Sequence, residues 1–164
     1  MSFLGERYRI HIGGEHDDWY DPDFLIFNEV IIEDHLDRAW VYGYPKEVFP
    51  PTDFHTATLL DEDDTSVPTS SRNCILVVGG LGYENERSFW HTPVYRLDLE
   101  WLSIQPFEAT GDAPGWIYKH CATLLPEGKL LITGVNILDE HGKFQPNGHR
   151  FELNLWDRKW FRTS

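Results

Sequence analysis

The chain has 164 residues, of which 41% are hydrophobic and 15% aromatic, so it can bury the core of one globular domain. Its net charge of −13 argues against binding to the phosphate backbone of nucleic acids or to anionic membrane surfaces. No apolar run reaches the roughly 20 residues that cross a bilayer, and residues 1–12 lack the basic start and apolar core of a signal peptide, so we expect a cytoplasmic protein.

Strands that end at glycine are the first predicted elements along the chain. The first covers residues 10–14 and is followed by predicted strands at residues 30–34 and at Trp40. Glycine closes such strands where the chain turns with a positive φ and no side chain fits. Because only seven residues precede Tyr8, we expect this first unit, at about residues 8–49, to lack a strand that the later units have.

The second unit, at about residues 50–112, has four predicted strands, and the third, at about residues 113–164, repeats them. The pattern His-x-Ala-Thr-Leu-Leu begins at His55 and again 65 residues later at His120. Internal repetition of this kind predicts a repeat architecture. The predicted strands of the two units lie at residues 55–60, 75–80, 95–99 and near Ile104, and at residues 120–125, 130–135, 151–155 and near Trp160.

The polarity of these segments predicts which faces are buried. Apolar and polar residues alternate at residues 95–99, which indicates a single buried face. Residues 75–78 and 130–132 are continuously apolar, which is typical of strands covered on both faces. The acidic run 61–64 opens an insertion in the second unit, and we expect a loop tip there. This run lacks the alternating carboxylates and the glycine of an EF-hand loop, so it does not predict a calcium site.

The repeat resembles the kelch family, whose units have a strand with His and Ala, a strand that ends in Gly-Gly, a strand with Tyr and Asp, and a Trp. The similarity extends over about residues 8–162. The third copy has Val135 in place of the second glycine, and the middle copy has Ile104 in place of the tryptophan. The middle copy matches best, at His55, Gly79, Gly80, Tyr95 and Asp98.

The resemblance implies blades of four antiparallel strands arranged radially. We therefore predict one all-β domain over residues 1–164, a partial kelch-like β-propeller of about three antiparallel four-stranded blades whose first blade lacks its inner strand. Closed propellers have about 4–8 blades. A homodimer that completes the ring, an excised piece of a longer propeller and a partner that caps the arc are three open explanations, of which we predict the homodimer.

The histidines and cysteines of the repeat are predicted to support the fold. His55 and His120 occupy matched positions, so we expect each to bond to an inner-strand backbone rather than to catalyse a reaction. Cys74 and Cys121 lie in or beside inner strands, which predicts two buried thiols. The sequence has no recognised catalytic motif or metal-ligand spacing, so we predict no catalytic residue, metal or cofactor.

The predicted binding surface is a face of loops. In kelch-like propellers the loops between second and third strands, and those that join blades, gather on one face. The first set corresponds here to residues 15–23, 81–92 and 136–148, and the second to residues 41–54 and 105–119. Aromatic residues and arginine are enriched at interface hot spots. The predicted partner-binding residues are Trp19, Tyr20, Tyr83, Arg87, Phe89, Trp90, His91, Trp116 and Tyr118.

Charge and loop composition together predict a function. The acidic chain favours a basic partner, so we predict a non-enzymatic interaction module that binds a basic protein, with an inhibitor or immunity-like protein as one form. The alternative is a carbohydrate-binding or carbohydrate-active domain, with Asp17, Asp18 and Glu84 as candidate carboxylates. A fragment with a structural role alone is a third hypothesis.

Overall fold

The computed structural model describes residues 2–3, 6–16 and 25–163, and this part of the chain is all-β, as predicted. Two short 3-10 helices, Thr69–Ser71 and Glu84–Glu86, lie within the loops. No helix in the described ranges is long and apolar enough to span a membrane. The strands are β1 (Ser2–Phe3), β2 (Glu6–Arg7), β3 (Arg9–His16), β4 (Leu25–Glu33), β5 (Ala39–Tyr42), β6 (Thr56–Leu60), β7 (Cys74–Val78), β8 (Val94–Asp98), β9 (Ile104–Pro106), β10 (Thr110–Gly111), β11 (Ile117–Tyr118), β12 (Cys121–Leu125), β13 (Lys129–Thr133), β14 (Val135–Leu138), β15 (Phe144–Asn147), β16 (Arg150–Asn154) and β17 (Lys159–Thr163).

Three of the sheets follow the sequence repeat. The first sheet has the order β3-β4-β5, and the second sheet has the order β6-β7-β8-β9. The third sheet has the order β12-β13-β16-β17, with β10 added in parallel beside β17. All other neighbours in these sheets are antiparallel. A side sheet, β11-β14-β15, lies beside the third, and β1 and β2 form a separate hairpin.

The same backbone contact joins successive sheets. The N–H of Gly14 donates to the carbonyl of Thr52 at 2.8 Å, and the N–H of Gly80 donates to the carbonyl of Ile117 at 2.8 Å. Thr52 and Ile117 each lie three residues before a histidine of the repeat. The junction between the first and second sheets is therefore built like the junction between the second and third.

Two apolar clusters separate the three sheets. The first interface cluster lies between the first and second sheets and includes Val30 and Val77. The second interface cluster lies between the second and third sheets and includes Leu76 and Trp160. Alternate residues of a strand point to opposite faces, so β7 contributes to both clusters and is buried at all five positions. This agrees with the two covered faces predicted for residues 75–78.

The corresponding prediction for β13 is wrong. Burial alternates along this strand, with Leu130 and Ile132 fully buried and Leu131 half-buried. No further sheet covers the third sheet within the described residues, so only one of its faces is covered. Its outer face carries instead an ion pair of 3.0 Å between Lys129 and Glu152.

The predicted pair of buried thiols is right for Cys74 and wrong for Cys121. Cys74 begins the doubly covered strand β7, and its thiol donates to the carbonyl of Ser71 at 3.1 Å. Burial raises the pKa of the Cys74 thiol to about 11. Cys121 pairs with Thr133 on the outer face of the third sheet and is exposed. The two cysteines thus differ because their sheets differ in position within the stack.

This difference predicts the thiol chemistry of the native protein. At pH 8 one thiol per chain, that of Cys121, is expected to react with a maleimide within minutes, because it is exposed. Cys74 is expected to stay unmodified until the protein is unfolded. Mass spectrometry of peptides from native and urea-unfolded samples measures both reactions, and Cys121→Ser is the control. Labelling of Cys74 in the folded Cys121→Ser variant would contradict the buried position of β7.

Candidate functional site

The loops that follow β7 and β13 meet at one edge of the sheet stack. The first is residues 81–92, and the second is the β14-β15 hairpin of the side sheet. The guanidinium of Arg87 lies 5.2 Å from the centroid of the Phe144 ring and so connects the two loops. The corresponding loop of the first sheet falls at residues 17–24, outside the described residues. Four residues singled out from the sequence fall there, namely Asp17, Asp18, Trp19 and Tyr20.

Three predicted partner-binding residues hold this loop face together. Trp116 is 6% exposed, and its indole N–H donates to the carbonyl of Gly80 at 2.7 Å. The hydroxyl of Tyr83 accepts the N–H of Ile26 in the first sheet at 2.9 Å. The guanidinium of Arg87 donates to the carbonyls of Leu81 and Gly82, both at 3.0 Å. Trp116 in particular has little surface left with which to contact a partner.

The remaining predicted residues lie at or near the surface. Trp90 is 83% exposed, and its ring centroid is 4.3 Å from that of the half-buried Phe89. His91 is exposed beside it. Large exposed aromatic side chains are typical of binding hot spots, where a partner buries them. Among the described residues of the loop face, Trp90 therefore has the most apolar surface to offer.

A row of three rings extends this face, and two of its members, Phe54 and Phe144, are not among the predicted partner-binding residues. Phe54, Tyr118 and Phe144 form this aromatic row, with centroid distances of 6.3 Å and 4.4 Å between successive rings. The ammonium of Lys119 lies 4.3 Å from the centroid of Phe54. Phe54 and Lys119 directly precede His55 and His120 and share a positive φ, at 49° and 50°. Their matched place in the repeat is the signal that could have identified them.

An acidic hollow of about 260 Å³ lies between residues 81–92 and the β14-β15 hairpin. The carboxylates of Glu84 and Glu140 are exposed at its rim. Asp139 instead stabilises the hairpin turn, since hydrogen bonds from the backbone of Lys143 and from other neighbours hold the pKa of its carboxyl below the usual range. The hollow is lined by Glu84, Arg87, Phe89, Leu138, Asp139, Glu140 and Gly142.

The matched histidines lie where the inner strands β6 and β12 run side by side. The Nε2 of His120 is 3.0 Å from the hydroxyl of Thr56, so its partner is a side chain and not the predicted backbone group. The Nδ1 atoms of His55 and His120 are buried without a hydrogen-bond partner among the described residues. Burial lowers the pKa of both imidazoles to about 4, and for His120 the neighbouring His55 adds to the effect.

Groups of three or more His, Cys, Asp or Glu side chains that could hold a metal ion are absent from the described ranges. Among the described residues of the loop face, the features with binding potential are the exposed Trp90, the aromatic row and the acidic hollow. Comparison with known protein families and with curated proteins finds no match to the chain.

Proposed function

We propose that the protein is a partial kelch-like propeller that acts as a non-enzymatic interaction module, and that its loop face binds a basic protein. The three repeat sheets are its blades, and within the described residues the first blade has no inner strand. The same hydrogen bond joins successive sheets, from Gly14 to Thr52 and from Gly80 to Ile117. This supports a radial arrangement, because repeating one junction turns each sheet relative to the previous one in the same way.

The position of Trp90 beside the acidic hollow carries this proposal. Phe89 lines the hollow and contacts Trp90, so the exposed indole is one side chain away from the carboxylates of Glu84 and Glu140. A lysine or arginine of a partner can lay its apolar stem or its cation on the indole and direct its charged end to a carboxylate. A chain with a net charge of −13 attracts such a partner over a longer range.

The aromatic row contributes rigidity more than charge recognition. The cations of Lys119 and Arg87 already lie over the rings of Phe54 and Phe144. A partner cation therefore gains less at these two rings than at Trp90, which is 83% exposed. We infer that the row holds the loop edges in place while Trp90 and the hollow select the partner.

Replacing Trp90 with alanine tests the loop face. Trp90→Ala is expected to weaken capture of basic proteins from the native host by about 30-fold, since a hot-spot tryptophan contributes at least about 2 kcal/mol. The same loss is expected in the affinity for a labelled lysine- and arginine-rich peptide, measured by fluorescence anisotropy. The double variant Glu84→Gln, Glu140→Gln is expected to lower the salt dependence of that affinity.

Trp101→Ala is the matched control. Trp101 is 76% exposed but lies on the turn between β8 and β9, at the opposite end of the second sheet. Retention of every partner by Trp90→Ala, or equal losses in both variants, would remove the loop face from consideration. Binding of a neutral oligosaccharide that Trp90→Ala abolishes and salt leaves unchanged would support the carbohydrate alternative.

A further inference from the structure

One face of β6, the inner strand of the second sheet, is exposed. The equivalent face of β12 in the third sheet is covered. Ala57 and Leu59 of β6 point toward the first sheet and are exposed, Leu59 at 39%. Ala122 and Leu124, 65 residues later on β12, are half-buried against the second interface cluster. They are covered because β12 lies beside β6. In the described residues the first sheet has no inner strand, so nothing equivalent covers Ala57 and Leu59.

The edge of β3 faces the same gap. Within the described residues β3 pairs with β4 alone, whereas β7 and β13 each carry an inner strand on the corresponding edge. When Gly13 is aligned with Gly79, residues 9–12 of β3 correspond to residues 75–78 of β7. In the second sheet those β7 residues pair with residues 56–59 of the inner strand β6. The unpaired N–H and C=O groups of such an edge are a template for another strand.

The gap ends in a hollow that is acidic. This hollow has a volume of about 580 Å³ and includes Leu59 and Asp61 from the second sheet and Glu33 and Asp37 from the first. Arg9 pairs with both Glu33 and Asp37, each at 3.2 Å. Asp61 makes no ion pair in the part of the chain that the structure describes. The guanidinium of Arg7 also lines this hollow, so the carboxylates of Glu33, Asp37 and Asp61 exceed the two guanidiniums by one negative charge, which favours a positive group that enters there.

We propose that the edge of β3 binds an extended segment of a partner protein, which becomes the fourth strand of the first sheet. The segment runs antiparallel to β3, as β6 runs antiparallel to β7. This segment would contact β6 in the way that β6 contacts β12. Thr56 and Thr58 are the residues of β6 that face β12, so we expect the residues of the segment that face β6 to be small or β-branched as well. It ends in a lysine or arginine, because its C-terminal end reaches the acidic hollow beside Asp61.

Within the described residues, a second copy of the chain offers no free strand of this chemistry. Its two strands with the required pattern, β6 and β12, are already paired in their own sheets. Association of two copies also brings together two chains that each carry a net charge of −13. Strand addition gives affinity through the backbone and selectivity through alternate side chains. The site is separate from the loop face, so each proposal can fail without the other.

A peptide that copies the repeat tests the site. The probe has the sequence of residues 55–60 followed by two lysines, with a fluorescent label, and its control has proline in place of the central alanine. The first peptide is expected to bind saturably and to slow amide hydrogen exchange at residues 9–12 at least tenfold, while the proline peptide does neither. Ala57→Arg is expected to raise the Kd at least tenfold, because Ala57 faces the gap.

Thr123→Arg is the matched control variant. Thr123 is exposed on β12, on the outer face of the third sheet, and its substitution is expected to leave the Kd unchanged. Absence of protection at residues 9–12 at saturation, or equal effects of the two arginine variants, overturns the proposal. Protection that instead appears without peptide and follows dimer formation in sedimentation makes a second copy the occupant, which also overturns it. Binding that Trp90→Ala abolishes and Ala57→Arg leaves intact assigns the peptide to the loop face and overturns the strand site alone.

Discussion

The free energy of unfolding is expected to fall by several kcal/mol as the pH drops from 6.5 to about 4, because the half-buried His55 and the buried His120 are held as neutral imidazoles. Burial lowers their pKa to about 4, from the ordinary 6.5 that each regains on unfolding. Between these values the unfolded chain binds more protons than the folded one, so stability decreases with decreasing pH. One pKa unit corresponds to about 1.4 kcal/mol, which gives roughly 3 kcal/mol for one such histidine.

Urea unfolding at a series of pH values measures this slope. The double variant His55→Gln, His120→Gln is expected to flatten it, whereas His141→Gln is the control because that side chain is 77% exposed. The carboxyl groups of Asp34, Asp98 and Asp139 have pKa values lowered from 3.8, so their contribution is lost only below that pH. A slope between pH 6.5 and 4 that the double variant retains would assign the effect to other groups.

The strands of the repeat could be predicted because their signals are local. Alternation at residues 95–99 and the paired glycines at residues 79 and 80 depend on the pleat of one strand and on the turn that ends it. The structure places β8 and the end of β7 there. The order of the strands in the second sheet follows from the same repeat, since each strand pairs with the next along the chain.

Burial could not be predicted in the same way, because it depends on position in the stack. Residues 75–78 and 130–132 are equally apolar, yet β7 is covered on both faces and β13 on one. Cys74 and Cys121 differ for the same reason. Whether another sheet covers a strand depends on how the whole chain folds, so no local pattern in the sequence predicts it.

The candidate site was predicted in outline and not in the role of each residue. Two of the loops chosen from the repeat, residues 81–92 and the β14-β15 hairpin, do meet at one edge, and Trp90 is exposed there. Trp116 is buried because its indole reaches the carbonyl of Gly80, 36 residues away in the sequence, and such a long-range contact leaves no local signal. Phe54 and Lys119 end the predicted loops 41–54 and 105–119, and only their matched place in the repeat distinguishes them from other loop residues.

Substitution of Gly79 by alanine is the second prediction with a large expected effect. Gly79 has a φ of +67°, and a Cβ there would lie 2.6 Å from the carbonyl oxygen of Ile117 and 2.7 Å from the ring of His120. The left-handed backbone costs a residue with a side chain about 1–2 kcal/mol. Displacement of the next sheet adds about 1–3 kcal/mol, as for other overpacked sites. Gly79→Ala is thus expected to lower the free energy of unfolding by roughly 3 kcal/mol in total.

Gly134→Ala separates the two costs, because Gly134 has the same place in the repeat and a φ of +66° but nothing within 4 Å of the methyl group that alanine would add. Its expected loss is therefore the backbone cost alone, about 1–2 kcal/mol, measured by urea unfolding beside Gly79→Ala. Equal losses at low protein concentration would mean that the second junction is looser than its 2.8 Å contact between Gly80 and Ile117 indicates. A loss for Gly134→Ala that grows with protein concentration would instead mean that another copy covers the outer face of the third sheet, as the predicted homodimer requires.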